Sequence, residues 1–249
     1  MANSKHTYWA IVPAAGIGKR MGSDIPKQYL KLHGKTIIEH TLQRLSQIEL
    51  IEGIVVAIAK DDPWWPELNL DLTKPLNVVH GGTERCHTVQ NGLYALKGKC
   101  TSDDWVLVHD AARPCVRIDD INMMIQSLNR HESGGLLGMP VRDTMKRTNQ
   151  KNQVQKTVDR DNLWHALTPQ MFRYGLLNQA LEQALNDQFL VTDEASAMEH
   201  AGFSPLMLEG HGDNIKITRP EDLALADFYL QYQSESQMDV ATEGLDDGG

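Results

Sequence analysis

The sequence predicts an α/β fold: a doubly wound sheet, mixed but mainly parallel, from which one β-hairpin arm protrudes. Three observations point there. Short apolar runs alternate with stretches of helical period. Several runs are continuously apolar rather than alternating, as expected of strands covered on both faces. A single polar segment, residues 142–160, breaks the rhythm and carries a turn signal at its middle.

Residues 9–12 form a short buried strand that leads into a glycine-rich loop. Over 36–48, Ile37, Ile38, Thr41, Leu42 and Leu45 fall on one helical face. Strands are expected at 53–59, 77–80 and 105–109, with a helix over 88–96 between the last two. A helix over 119–129 and a strand over 135–141 follow. Residues 142–160 read as a hairpin turning at 150–153, too polar for a core of its own and so in need of a partner surface. Helices are expected at 174–186 and 193–200, the second closed by Gly202. The last helix opens on Thr218-Arg-Pro-Glu221, a capping box with proline in its first turn, and turns Leu223, Leu225, Ala226 and Tyr229 inward. There is no internal repeat. The expectation is one domain over 7–232, including the arm at 142–160, followed by a disordered acidic tail over 233–249.

Charge narrows the function. The net charge is −9, of which five negative charges (Glu235, Asp239, Glu243, Asp246, Asp247) sit in the tail and −4 remains on the body. An acidic body without a basic stripe argues against nucleic-acid binding, which needs many phosphate contacts. No apolar run is long enough to span a bilayer, and Met1-Ala-Asn-Ser-Lys-His-Thr does not resemble a signal peptide. Cys86, Cys100 and Cys115 are odd in number and lack CxxC spacing, so they read as reduced thiols of a cytoplasmic protein.

Any cationic cluster must therefore be local, and residues 12–30 supply one. Gly16-Ile-Gly-Lys-Arg-Met-Gly22 is not a G-x-x-x-x-G-K-[ST] loop, and its third glycine comes one residue late for G-x-G-x-x-G. Dinucleotide loops hold a pyrophosphate with backbone N–H groups and a helix dipole. This loop adds Lys19, Arg20 and, after Pro26, Lys27. Extra side-chain cations suit a triphosphate whose bonds to phosphorus break. Phosphoryl or nucleotidyl transfer is favoured, with a dinucleotide binder and a solvated basic turn as the alternatives on the loop alone.

The loop resembles that of the nucleoside-triphosphate sugar and alcohol nucleotidyltransferases. More narrowly, the chain resembles the 2-C-methyl-D-erythritol 4-phosphate cytidylyltransferase family of the non-mevalonate isoprenoid pathway. The resemblance rests on Pro13-Ala-Ala-Gly-Ile-Gly-Lys-Arg-Met21, Pro26-Lys-Gln-Tyr29, Gly81-Gly82-x-x-Arg85, His109-Asp-Ala-Ala-Arg-Pro114 and Pro140-Val-Arg-Asp-Thr-Met-Lys-Arg147. Thr157-Val-Asp-Arg160, Thr168-Pro-Gln170, Thr192-Asp-Glu-Ala195 and Asn214-Ile-Lys216 complete it. Each motif is weak alone; together and in order they are specific. The fold implied is a Rossmann-like sheet of the nucleotide-diphospho-sugar transferase type.

The resemblance implies transfer of CMP from CTP to methylerythritol phosphate with release of pyrophosphate, assisted by Mg²⁺ whose protein ligands are not fixed by the sequence. The attacking phosphate is already anionic, so no general base is needed, and fixed cations must offset repulsion between the two phosphates. Arg20, Lys27 and Lys216 are assigned this role. Lys19 either joins them or faces solvent. Pro13, Ala14, Ala15, Gly16, Gly82, Thr88, Asp110 and Ala111 are expected to bind the nucleotide, the small residues letting it lie against the main chain. Many family members have Ser where this chain has Thr88; the hydroxyl is kept, and the extra methyl needs space.

Asp110 and Arg113 follow a predicted strand, where ligands sit in open α/β sheets. Asp110 is a candidate for Mg²⁺, the ribose or the second substrate, or else a turn cap. Arg113 reads as a rigid guanidinium facing the substrate. Thr144, Arg160, Thr168 and Thr192 would complete the alcohol-phosphate pocket. The resemblance implies a homodimer in which Thr144 and Arg160 of each arm reach the neighbour's site. Arg142, Lys146 and Arg147 read as solvated charge, Asp213 as a minor metal candidate, and His109 with the other histidines as structural. Trp64-Trp65 read as a packing plug. Ribitol-phosphate cytidylyltransferase and a non-catalytic nucleotide-binding module remain as alternatives.

Overall fold

The computed structural model describes residues 6–16 and 25–246, with side chains through residue 235. In chain order, β1 (Tyr8–Pro13) is followed by a short hairpin of β2 (Lys31–Leu32) and β3 (Lys35–Thr36), then α1 (Ile37–Ser46) and β4 (Ile51–Ile58). Next come β5 (Leu76–His80), α2 (Arg85–Tyr94), β6 (Trp105–Val108), α3 (Ile118–Leu128) and β7 (Gly134–Pro140). The arm is β8 (Met145–Thr148) and β9 (Val154–Val158). It leads to β10 (Trp164–Arg173), α4 (Tyr174–Asn186), α5 (Glu194–His200), β11 (Leu206–Glu209) and α6 (Glu221–Asp246).

Seven strands form one sheet in the order β11-β7-β10-β6-β1-β4-β5. β1 pairs in parallel with β4 and β6, β4 with β5, and β11 with β7; β10 is the one antiparallel strand, set between β6 and β7. From β1 the chain winds outward through β4 and β5, then returns to β6 on the other side of β1. The order therefore reverses beside β1, and the crevice beyond the strand ends there is where such sheets bind ligands.

Period-2 alternation divides the core between the two faces. Ala10, Val12, Ile54, Val56, Leu107 and Met171 pack against Ile38, Leu42 and Leu45 of α1 and Ile121, Met124 and Leu128 of α3. Ile11, Val55, Val106, Val108 and Phe172 face Val89 and Leu93 of α2 and Leu177, Leu181 and Met198 of α4 and α5. The close approach of α2 requires Gly92: a Cβ there would lie 2.7 Å from Ile11 Cγ2. Helix α1 starts on a reciprocal cap, with Glu39 N–H donating to Thr36 Oγ1 (3.3 Å) and Thr36 N–H to Glu39 Oε2 (2.6 Å).

Several expectations need correction. Helix α2 begins at Arg85, three residues before the expected start, because the polar first turn lacks the apolar periodicity that marks the rest. Strands β10 and β11 were not anticipated. In β10, Thr168-Pro169 interrupts the apolar run, and the ladder to β7 shifts register between Ala166 and Gln170, so the proline sits where no ladder N–H is needed. The expected box on Glu221 is replaced by Asp222, whose Oδ2 accepts from Thr218 N–H (2.8 Å), Thr218 Oγ1–H (2.9 Å) and Arg219 N–H (2.9 Å). Leu225 is exposed rather than inward, while Ala226 is fully buried.

Helix α6 runs past residue 232, where the domain was expected to end. It continues to Asp246 where a disordered tail was expected. Gln233 is buried, and its amide donates to Cys115 O (2.9 Å) and Asp213 Oδ2 (2.8 Å) while its carbonyl accepts from Arg44 (2.7 Å). No proline or glycine interrupts the run until Gly244, so nothing local stops the helix.

The arm is a separate two-stranded antiparallel sheet, with Met145 opposite Val158 and Lys146 opposite Thr157. Its turn is pinned by Asn149, whose Oδ1 accepts from Lys151 N–H (2.9 Å) and Gln153 N–H (3.1 Å). Trp64 and Trp65 pack partly buried against the core, and Trp64 stacks on Tyr29 at 5.9 Å. No described helix is long and apolar enough to cross a membrane.

Candidate active site

The site is assembled where β1, β5 and β6 end, and each part arrives by an identifiable contact. Leaving β1, Ala14 N–H donates to Ala57 O (2.8 Å), and the Gln28 amide ties down the carbonyls of Ala14 (2.8 Å) and Gly16 (3.1 Å). Beyond β5, Gly81 lies against this loop so closely that a Cβ would meet that of Ala15 at 2.4 Å. Gly82 N–H donates to Thr88 Oγ1 (3.1 Å), whose own proton goes to Glu84 O (3.0 Å). The Thr88 hydroxyl thus holds the turn, and its methyl occupies space beside Gly81 that a larger residue would fill.

After β6, His109 is fully buried. Its ring spans a turn: Nε2–H donates to Arg113 O (3.1 Å), Nδ1 accepts from Thr168 Oγ1–H (3.0 Å), and Thr168 Oγ1 accepts from Asp110 N–H (3.1 Å). This relay requires a neutral imidazole. Burial, only partly opposed by the Arg113 carbonyl and Asp110, pushes the His109 pKa down to about 4. The structural reading of His109 holds. The Thr168 hydroxyl, expected to bond the substrate, is engaged in this relay.

The turn then captures a distant segment. Ile217 N–H donates to Ala112 O (2.9 Å), Arg113 Nη1 to Asn214 O (2.6 Å), and the Asn214 amide to Thr168 O (2.8 Å). These bonds bring Lys216 Nζ within 2.8 Å of Asp110 Oδ2, and Lys27 Nζ donates to Ile217 O at 2.8 Å. Two lysines far apart in sequence meet at one corner. Arg113, expected as a rigid guanidinium facing the substrate, is buried behind them with Nε 3.7 Å from Asp110 Oδ2 and borders the second of the site's two chambers.

Arg85 completes the cluster and was not assigned a role from sequence. Its Nε donates to Asp110 Oδ1 (3.1 Å), and its two Nη groups grip Glu194 (2.6 and 3.0 Å). Glu194 is wholly buried, so this bidentate pair fixes the guanidinium. Burial works to raise the Asp110 pKa, but Arg85, Lys216 and Arg113 together outweigh it and hold the carboxylate far below its ordinary range. Asp110 is ionised at any working pH. The Gly81-Gly82-x-x-Arg85 motif hinted at Arg85, but its partner lies 109 residues away.

Two chambers share this charged wall. One, of about 210 Å³, is lined by the 13–16 loop, Lys27, Gly82, Thr88 and Ala111; the other, of about 200 Å³, by Arg113, Thr168, Gln170, Thr192 and Asp193. Arg85, Asp110 and Lys216 border both. Pro13, Ala14, Ala15, Gly16, Lys27, Gly82, Thr88, Asp110, Ala111 and Lys216 therefore come together in the first chamber. Arg113, Thr168 and Thr192 come together in the second. Thr144 and Arg160 border neither; both are exposed on the arm, where Arg160 Nη1 donates to Arg142 O. Arg20 and Lys19 lie outside the described residues. Asp213 Oδ2 is taken by Arg117 (2.6 Å) and Gln233, away from both chambers.

The donor set can be tested against Mg²⁺. Asp110 offers one ionised carboxylate, and both its oxygens already accept from cations. That does not make an all-protein cage. It fits a Mg²⁺ held mostly by substrate phosphates and water with at most one carboxylate, the usual arrangement for this ion.

An open, mainly parallel α/β sheet with a small-residue loop and convergent lysines at its switch point defines a nucleotidyltransferase. The family model for 2-C-methyl-D-erythritol 4-phosphate cytidylyltransferase (IspD) matches residues 8–232. A relative of that name from Vibrio vulnificus is 50% identical over 94% of this chain and 99% of its own length. One from Hahella chejuensis is 51% identical over 91% and 94%. The crystal structure of the Francisella tularensis enzyme superposes with a TM-score of 0.78 at 39% identity, covering 90% of this chain and 99% of that one. The chain belongs to the 2-C-methyl-D-erythritol 4-phosphate cytidylyltransferase family, and it is an enzyme of the cytidylyltransferase class.

Proposed function

We propose that the chain transfers CMP from CTP to 2-C-methyl-D-erythritol 4-phosphate, giving 4-diphosphocytidyl-2-C-methyl-D-erythritol and pyrophosphate in non-mevalonate isoprenoid precursor synthesis. An oxygen of the alcohol's phosphate forms the new bond to the α-phosphorus of CTP, and the bond to the pyrophosphate oxygen breaks in line with it. The observation that carries this reading is the shared wall: two chambers, each large enough for part of a substrate, meet at Lys216, Asp110 and Arg85.

In this reading the cytosine and ribose lie against the main chain of Ala14, Ala15 and Gly16, with Gly82 and Thr88 closing the space a purine would need. Lys27 and Lys216 stabilise charge that builds on the α-phosphate oxygens, joined by Arg20 from the glycine loop. Asp110 holds Lys216 at the junction and is the protein carboxylate available to Mg²⁺, which supplies charge neutralisation when bound. The alcohol phosphate enters the second chamber past Thr192, with Arg113 stiffening its floor. Its 4-phosphate is gripped by Arg160 and Thr144 of a neighbouring arm, making the working form a homodimer. The support for that last step is geometric: both residues are exposed and border neither chamber of their own chain. Three free cysteines suit a reducing cytoplasm.

The test is pyrophosphate release from CTP and Mg²⁺ with each alcohol phosphate. Release is expected with methylerythritol 4-phosphate. Release with ribitol 5-phosphate alone would replace the acceptor, and CTP binding without release from any acceptor would reduce the protein to a nucleotide-binding module.

A further inference from the structure

Just outside the first chamber, the opening turn of α2 gathers three unlike ligand types. Glu84, Cys86 and His87 each present one donor atom, and these atoms lie within 4.8 Å of one another. Cys86 Sγ is 3.8 Å from Glu84 Oε2 and 4.0 Å from His87 Nδ1. A tetrahedral cation with bonds of about 2.3 Å to sulfur and about 2.0–2.1 Å to nitrogen or oxygen spaces its ligands roughly 3.5–3.6 Å apart. The two contacts to sulfur therefore need to contract by only a few tenths of an ångström, while the Glu84 and His87 donor atoms start within 4.8 Å of each other. Glu84 is exposed and His87 half-exposed, giving a path inward to the buried sulfur.

We propose that Glu84, Cys86 and His87 form a site for a thiophilic divalent cation of the Zn²⁺ type, with water in the fourth position. Thiolate and imidazole select such an ion over the Mg²⁺ of the reaction, which takes oxygen ligands. On binding, the Cys86 thiol passes its proton to solvent and the sulfur bonds the metal as thiolate; no oxidant or reductant is involved.

The site is coupled to the cleft through its own backbone. Glu84 O accepts the Thr88 hydroxyl proton, Arg85 between the ligands holds Asp110, and the His87 Cβ abuts Gly82 so closely that a Cβ there would lie 2.3 Å away. A cation bridging residues 84, 86 and 87 would pin the segment that lines the nucleotide chamber. The enzyme would then bind CTP less well when Zn²⁺ is present.

Co²⁺ titrated into the full chain without substrates is the direct probe, and it does not depend on the proposed reaction. One equivalent is expected to bind with a thiolate-to-cobalt charge-transfer band. Cys86→Ser should lose that band, while Cys100→Ser should keep it. His87→Ala, a half-exposed position that spares the fold, should weaken binding by at least roughly 10- to 100-fold, the loss seen when a ligand is merely loosened. Absence of the band in the parent protein, or its survival with unchanged affinity in His87→Ala, would overturn the site. Zn²⁺ should also raise the KM for CTP in the parent and leave it unmoved in His87→Ala; equal inhibition of both would overturn the coupling to the cleft.

Discussion

The cleft and the arm carry charge in opposite ways. In the cleft, Arg85, Asp110, Arg113, Lys216 and Glu194 are locked to one another within 2.6–3.7 Å, and three of the five, Asp110, Arg113 and Glu194, expose less than a tenth of their surface. On the arm, Arg142, Lys146, Arg147 and Arg160 are exposed, and their bonds run to neighbouring arm atoms. The first region is organised before any ligand arrives, so its cations need no reordering when charge develops. The second has no such framework among the described residues. Substitutions should therefore act on turnover and stability in the cleft, and on affinity in the arm.

The largest effect is expected from Lys27→Ala. Removing one preorganised cation from a reacting phosphate costs about 10²–10³ in turnover, so kcat should fall by that factor while the KM for CTP moves much less. A KM effect alone would place Lys27 in ground-state binding and erase the distinction between the regions. Next comes Glu194→Gln, which strips the buried partner from Arg85. Breaking a buried pair costs about 3–5 kcal/mol, and the lower end applies because the Arg85 side chain keeps 29% of its surface. Urea unfolding should show this loss together with a fall in kcat, since Arg85 would no longer hold Asp110. No surface pair on the arm should approach that value.

A pH dependence separates the regions further. Burial in the folded chain pushes the His109 pKa from its ordinary value of 6.5 down to about 4. Between those values the unfolded chain binds the proton and the folded chain does not, so stability rises with pH across this window and falls on acidification. From pH 7 to pH 5 the loss from this group alone is on the order of 2 kcal/mol. His109→Gln, though less stable at pH 7, should lose less than the parent over the same interval. Arg160→Ala should follow the parent slope. Equal slopes for the parent and His109→Gln would mean that the imidazole is not held neutral in the folded chain.

The same contrast governs what could be read from the sequence. Lys27 and Asp110 stood out because each sits in a short local signal, a cationic loop stiffened by proline and a strand end, whereas Lys216 was singled out only by the family resemblance. The Arg85–Glu194 pair was not legible, because neither residue shows its partner 109 positions away. Thr168 was legible as a site residue, but the direction of its hydroxyl depends on His109, which only the packed turn reveals. Strand β10 was hidden by Pro169, whose tolerance depends on a register shift with another strand. Gln233 looked like the start of a polar tail, although its three side-chain bonds make it part of the body. Helical period and apolar runs survive in one dimension; pairing across the fold does not.

The smallest and most discriminating prediction concerns Arg160. A charge-assisted bond to a phosphate contributes about 1.5–3 kcal/mol, so Arg160→Ala should raise the KM for the alcohol phosphate by roughly 10- to 100-fold, with kcat and the KM for CTP little changed. Its bond to the Arg142 carbonyl is within the arm, so the loss cannot be attributed to the cleft of the same chain. If each arm serves its neighbour, a chain lacking Lys27 can still lend Arg160, and a chain lacking Arg160 can still use Lys27. Mixing Lys27→Ala with Arg160→Ala should then regenerate one complete site per hybrid dimer, restoring up to half the parent's activity per hybrid. Hybrids that form but turn over no faster than the two variants alone would return Arg160 to its own chain's site, and the arm would become a second wall of the cleft rather than a loan to its partner.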